Sequence, residues 1–269
     1  MKNSYSTLIS EAQLFSRPRI LINICSHGNE TIGLKVQELF AGKEIKNGSL
    51  TFHIGNSEAL EQNKRFIESD LNRSFPGSLS GTKEEVIAAN MMEYVPQFDY
   101  VFDIHSTVSD IKDCLIIEDD SVEMQKLIAA TTHAKTALHM TATKGNSLFT
   151  ACRTEEKIIP AVAFEYGDNS DEVAKKVYED LSAMIDHITG VETENKKTTI
   201  TQYECYKPFP KSDGDILSET IRNYELIKRG TVVGYTEDKE PIIAPEDFYP
   251  ILFGETNYKT IFGFMGRNV

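Results

Sequence analysis

The chain has 269 residues, 40% of them hydrophobic, enough for one large domain, or one domain with a small appendage, built on its own core. Against 28 Lys and Arg stand 41 Asp and Glu, and the net charge of -13 excludes nucleic acid and anionic membrane surfaces as partners unless basic residues are concentrated locally. An anionic small molecule stays open, provided a few arginines gather at its site.

Residues 1–16 lack the basic start and apolar stretch of a secretory signal, and no segment approaches the ~20 apolar residues of a membrane span, so the expected compartment is the cytoplasm. The four cysteines, Cys25, Cys114, Cys152 and Cys205, have no short repeated spacing and read as reduced, mostly buried thiols.

Arg19 to Cys25 (RILINIC) is a continuous apolar run after Pro18, the pattern of a strand covered on both faces. Ile32, Val36, Leu39 and Phe40 then recur at helical spacing, and Leu50, Phe52 and Ile54 alternate with polar residues as a second strand. Further strands are expected at Tyr100–Ile104, Cys114–Ile117 and Ala161–Phe164, with helices near Glu84–Tyr94, Val122–Thr132 and Glu172–Ile188. This alternation predicts an α/β sheet with helices on both sides. From Val191 the character changes: a polar bridge, ETENKKTT, leads into short β-like runs broken by Pro208, Gly214, Gly230, Pro241, Pro245 and Pro250. The expected division is a larger α/β domain over residues 1–195 and a small β-rich domain over 196–269.

The first strand is followed at once by His27-Gly28-Asn29-Glu30, an imidazole and a carboxylate three residues apart where strand turns into helix. A helix-capping turn is the plain alternative, since about one such pair is expected by chance in a chain this acidic. A second histidine, His105, ends another predicted strand, and α/β sheets bind ligands beyond their strand carboxyl ends. His27, Glu30 and His105 can therefore meet as a two-His, one-Glu set that leaves a tetrahedral Zn²⁺ one open position, as in catalytic zinc sites. Cobalt or manganese would suit the same donors. Asp103 is placed to orient a ligand histidine. Glu165-Tyr166-Gly167 follows the Ala161–Phe164 strand at the same rim, which makes Glu165 the candidate general base, with a solvated loop glutamate as the alternative. Between these segments, RFIESDLNRSFPG sets Arg65, Asn72 and Arg73 in a loop closed by Pro76 and Gly77; guanidinium groups grip carboxylates or stabilise an oxyanion. His53, His133, His139 and His187 fall in predicted strand or helix bodies, where core or surface roles suit them.

Taken in order, HGNE, RFIESDLNRSFPG, DIHST and FEYG resemble the succinylglutamate desuccinylase/aspartoacylase family, relatives of the zinc carboxypeptidases. The resemblance spans roughly His27 to Gly167. It implies a zinc carboxypeptidase-like mixed sheet flanked by helices, one Zn²⁺ held by His27, Glu30 and His105, Glu165 as base and Arg65 polarising the scissile carbonyl. It further implies that Asn72, Arg73 and Arg153 bind substrate carboxylates, and that Tyr258, in FGETNY, reaches over the substrate. The implied activity is hydrolysis of a small-molecule N-acyl acidic amino acid, N-acetylaspartate-like from Ser106-Thr107-Val108-Ser109, with succinylglutamate desuccinylase, a zinc exopeptidase or a non-catalytic zinc- or ligand-binding module as alternatives. Retention of both Glu165 and Arg65 weighs against the last. A homo-oligomer is compatible with the sequence.

Overall fold

The computed structural model of the chain describes residues 16–107, 113–117, 120–141, 146–153, 158–191, 199–255 and 258–269. The polar bridge at 192–198, Val108, Ser109, Thr256 and Asn257 lie outside them.

The N-terminal half alternates as expected: β1 (Arg19–Ile24), α1 (Ile32–Phe40), β2 (Ser49–Ile54), α2 (Ser57–Glu61), α3 (Lys83–Tyr94), β3 (Tyr100–Ser106), β4 (Cys114–Ile117) and α4 (Val122–Ala130). There follow β5 (Thr136–His139), α5 (Leu148–Ala151), β6 (Ala161–Tyr166) and α6 (Asp171–Ile188), then β7 (Thr201–Pro210), β8 (Ile216–Leu217), β9 (Val232–Tyr235), β10 (Pro241–Ile243), β11 (Tyr249–Ile251) and β12 (Ile261–Asn268). Short 3₁₀ turns lie at Leu71–Arg73 and Val95–Gln97. The sequence reading lacks β5, α2 and α5, each five residues or fewer.

Nine strands form one mixed sheet in the order β11-β12-β7-β5-β4-β6-β3-β1-β2, and β10-β9-β8 make a small antiparallel sheet. β2, β1, β3 and β6 run parallel, whereas β4 is antiparallel to β6 and carries β5 and β7 with it. The carboxyl ends of β1, β3 and β6 therefore share one rim, and those of β4 and β5 point to the opposite one. β7, β12 and β11, all from the C-terminal third, extend the large sheet.

Alternation along the strands separates two faces. Ile22, Ile24, Phe102, Ile104, Leu115, Ile117, Val162 and Phe164 pack under the apolar stripes of α1, α4 and α6, such as Val36, Leu127 and Leu181. Each such side chain removed from water contributes about 1.5–3 kcal/mol, so this layer is the main core. Leu39, counted in the helical pattern of α1, is exposed. On the other face Leu21, Val101 and Ala161 meet Met91 of α3 and Leu148 of α5, while Cys114, Ile116, Leu138 and Ala163 meet Tyr203, Ile251 and Phe264 from the C-terminal third. All four cysteines are buried, and none of them forms a disulfide. Among the described residues no helix is long and apolar enough to cross a membrane.

Candidate metal centre

Between its two apolar zones the second face carries a polar row: Asn23 on β1, Asp103 and His105 on β3, and Glu165 on β6. A single strand pairing sets two of the expected residues side by side, because His105 is in register with Glu165. β1 ends a residue earlier than its apolar run, at Cys25, whose φ of 55° is in the left-handed region that non-glycine residues seldom enter. That turn sends the chain into Ser26 and His27. Gly28 follows where a Cβ would lie 2.0 Å from the backbone carbon of Ala59, so only glycine lets this loop pass α2.

His27, Glu30 and His105, all buried, bring one ligand atom each within 4.8 Å of one another. His27 Nδ1 is 2.7 Å from Glu30 Oε1, and His105 Nδ1 is 3.0 Å from Glu30 Oε2. The far nitrogens are held by carboxylates: His27 Nε2 lies 3.0 Å from Asp70 Oδ1, and His105 Nε2 lies 2.8 Å from Asp103 Oδ2. Both imidazoles are thus turned with Nδ1 toward the shared carboxylate, the arrangement in which outer carboxylates orient metal-ligating histidines. Two imidazoles and one carboxylate suit a divalent metal, zinc above all, and the described residues contain no second cluster of this kind.

Charges follow from this packing. Burial opposes protonation of His27, but hydrogen bonds to Asp70 and Glu30 outweigh it and raise its pKa; Asp103 and Glu30 raise that of His105 well above the ordinary value in the same way. Glu30 and Asp70 are held below the carboxylate range, against burial, by their histidine partners. Glu165 goes the other way: burial, with Glu30 adding to it against the pull of His105, pushes its carboxyl up to about 7.

The Arg65–Gly77 loop closes one side. Arg65 donates from Nη1 to Glu30 Oε1 (3.1 Å) and from Nη2 to Asp70 Oδ2 (3.0 Å). Asp70 caps the 3₁₀ turn by accepting from the Asn72 amide at 2.9 Å, and Asn72 Nδ2 sits 3.1 Å from His105 Nε2. Arg73 donates to the Asn72 carbonyl and lies 5.8 Å over the ring of Tyr258. Tyr258 also stacks edge-on against Phe264, and burial pushes its hydroxyl up to about 12. The fold thus brings Arg65, Asn72, Arg73 and Tyr258 around the cluster and Glu165.

Arg153 is not among them. It pairs with Ile158 in an isolated bridge before the first residue of β6, whereas Glu165 is near the last, and it lines a cavity of about 660 Å³ with His139, Gln202 and Glu204. The spacing between Arg153 and Glu165 is taken up by the bridge and the strand, which separate them along the sheet. His139 likewise closes β5 at that opposite rim instead of lying in an element body, and His133 stands in the turn before β5 with Nε2 2.6 Å from Glu179. His53 lies within β2 and His187 within α6.

Two residues with clear positions were not singled out from the sequence. Asp70 had a signal, an acid between two arginines. Glu84 had none: its buried carboxylate accepts from the amides of Ile67, Glu68 and Ser69 and from Asn56 Nδ2, fastening the arginine loop to α3.

Residues 16–190 match the sequence profile of the succinylglutamate desuccinylase/aspartoacylase catalytic domain. A probable aspartoacylase from Nostoc sp. is 26% identical, the alignment covering 89% of this chain and 92% of that protein. Among solved structures, succinylglutamate desuccinylase from Vibrio cholerae superposes with a TM-score of 0.77 at 18% identity, over 93% of this chain and 81% of the other. Murine aminoacylase 3 gives a TM-score of 0.69 at 14% identity, over 93% and 95%. At those identities the structural likeness establishes the fold, and the profile, spanning well over half the sequence, establishes descent: the chain belongs to the succinylglutamate desuccinylase/aspartoacylase family.

Proposed function

We propose that the chain is a zinc-dependent deacylase that hydrolyses the amide of an N-acyl acidic amino acid, of the N-acetylaspartate kind, to a carboxylate and a free amino acid. The observation that carries this reading is the buried His27–Glu30–His105 donor set with Glu165 in register beside His105. The name of the Nostoc relative favours an aspartoacylase and that of the Vibrio structure a desuccinylase. Both cleave an amide on an acidic amino acid.

A divalent metal held by His27, Glu30 and His105 would supply Lewis-acid activation of water and of the scissile carbonyl. Glu165 accepts the proton as the water oxygen bonds to the carbonyl carbon, and returns it to the nitrogen as the carbon–nitrogen bond breaks. A carboxyl near 7 is suited to both transfers at neutral pH. Each guanidinium nitrogen of Arg65 donates once to Glu30 or Asp70, but the group is partly exposed and each Nη has a second N–H, so a donor stays available for the developing oxyanion. Arg73, which donates to a backbone carbonyl, lies over an aromatic face and feels the charge of Asp70, takes a substrate carboxylate with Asn72 beside it. Residues 196–269 serve as the cover, with Tyr258 over the substrate.

The test is amine release by zinc-loaded protein from N-acetylaspartate, N-acetylglutamate, N-succinylglutamate, N-acyl neutral amino acids and a short peptide, each repeated after chelation. Chelator-sensitive release from an acidic acyl amino acid supports the reading. Cleavage of the peptide alone makes the protein an exopeptidase, and no release from any of them, with zinc bound, rejects the proposed substrate class.

A further inference from the structure

The geometry points to Asn23 as a positioning residue for the metal, acting through Asp103 on the ligand His105, with His53 fixing Asn23 in turn. This rests on the metal reading above. Register puts the three side chains in one row across three parallel strands: His53 on β2 faces Asn23 on β1, and Asn23 faces Asp103 on β3. Asn23 is fully buried among the isoleucines and leucine of β1, where an amide without partners would be costly. It has partners on every side. Nδ2 donates to Asp103 Oδ1 at 2.8 Å and to Ser26 Oγ at 2.7 Å, and Ser26 Oγ itself donates to Asp103 Oδ1 at 3.1 Å. Asp103 Oδ2 faces His105 Nε2.

The direction of each bond is determined. An ionised carboxylate only accepts, so the Asn23 amide must turn its nitrogen toward Asp103 and its oxygen toward β2. There Oδ1 is 2.9 Å from His53 Nδ1. Burial holds His53 down to about 4, so the ring is neutral at pH 7, and its single N–H must be on Nδ1 to serve that oxygen. His53 is only half-buried on the sheet's edge strand, so the row extends the metal's supporting network two strands outward from β3, which bears His105. A Cβ on Gly55 would come within 3.2 Å of Asn23 Oδ1, so glycine at that position leaves the amide the space it occupies.

The measurement is the zinc dissociation constant, by competition with a chromophoric chelator at pH 7.5, together with the melting temperature of the metal-free protein. Asn23→Leu keeps the branching at Cγ in a bulkier side chain and removes both donors; zinc binding should weaken by about 10-fold, the lower end of the range for partners outside the ligand shell. His53→Phe keeps an aromatic side chain and removes the Nδ1–H donor together with Nε2, and should weaken it about threefold. It also stands in for Asn23→Leu if that variant does not fold. Val36→Ala, a cavity on the other face of the sheet, controls for lost stability and should leave zinc binding within about twofold. Zinc binding by both row variants within twofold of wild type, or an equal loss in Val36→Ala, overturns the inference. A wild-type protein that does not bind zinc overturns the metal reading and this inference with it.

Discussion

Replacing Glu84 tests what holds the loop that carries Arg65, Asp70, Asn72 and Arg73. The buried carboxylate accepts from the amides of Ile67 (2.7 Å), Glu68 (3.1 Å) and Ser69 (3.0 Å) and from Asn56 Nδ2 (3.0 Å). Hydrogen bonds to a charged acceptor contribute about 1.5–3 kcal/mol each; at the lower value, with about a third recovered by entering water, Glu84→Ala costs about 4 kcal/mol. In a chain of this size that lowers the melting temperature on the order of 10 °C. Glu84→Gln, which keeps one carbonyl acceptor and turns an amide toward the remaining donors, costs roughly 2 kcal/mol. Burial pushes the Glu84 carboxyl up, but these four donors outweigh it and hold it below its ordinary value. Such a group stabilises the fold above its unfolded pKa of about 4.3 and loses that contribution as pH falls through the folded value. Urea unfolding of wild type and Glu84→Gln should therefore show the full gap at pH 7 and a shrinking one below about pH 4. A gap under about 0.5 kcal/mol at pH 7, or one unchanged at about pH 3.5, would refute the reasoning.

Glu165→Gln should retain zinc and lose about 10²–10⁴-fold in turnover, checked by metal content and initial rates; full activity would remove Glu165 from the proton transfers. The pKa values of His27 and His105 are raised in the metal-free protein by their carboxylate partners, so each ring keeps its proton to higher pH than a free imidazole and a metal binding there competes with protons. Zinc affinity should accordingly rise with pH, and calorimetry in buffers of different ionisation enthalpy should register proton release on binding; a pH-independent affinity would contradict this charge assignment. Arg73→Ala should raise KM by at least about 10-fold, as expected for loss of a carboxylate-binding guanidinium, while Arg153→Ala, at the opposite rim, should leave KM within about twofold. Equal effects of the two would mean that Arg153 reaches the substrate after all.

The candidate metal-binding cluster is legible in the sequence because apolar runs announce buried parallel strands, and polar residues at their ends have one rim to share. That pattern lets His27, Glu30 and His105 meet, and the four ordered motifs of the family resemblance single them out as one donor set. Side-chain direction is another matter. Glu84 and Glu85 are adjacent identical residues in the first turn of α3, yet Glu85 completes a capping box with Thr82 while Glu84 turns inward to three loop amides. A hundred degrees of helix rotation separates the two roles, and nothing in the composition marks it. β5 is four residues long and ends in a histidine, too short for alternation to register. Arg153 shows the limit of spacing: its distance from Glu165 along the chain was readable, but the bridge to Ile158 and the course of β6 were not.

The shared sheet has a consequence for how the molecule breathes. β7 is hydrogen-bonded to β5, and β12 to β7, so the segment bearing Tyr258 is stitched by main-chain ladders to the half that bears Glu165. A clamshell motion about a hinge would have to unzip the β5–β7 ladder, so entry of substrate falls to side chains and loops at the rim. Cutting the chain after residue 191 would not yield an unlidded enzyme. It would bare the β5 edge and the apolar face around Ile116 and Leu138, an open strand that pairs with its own kind and drives the fragment into aggregates.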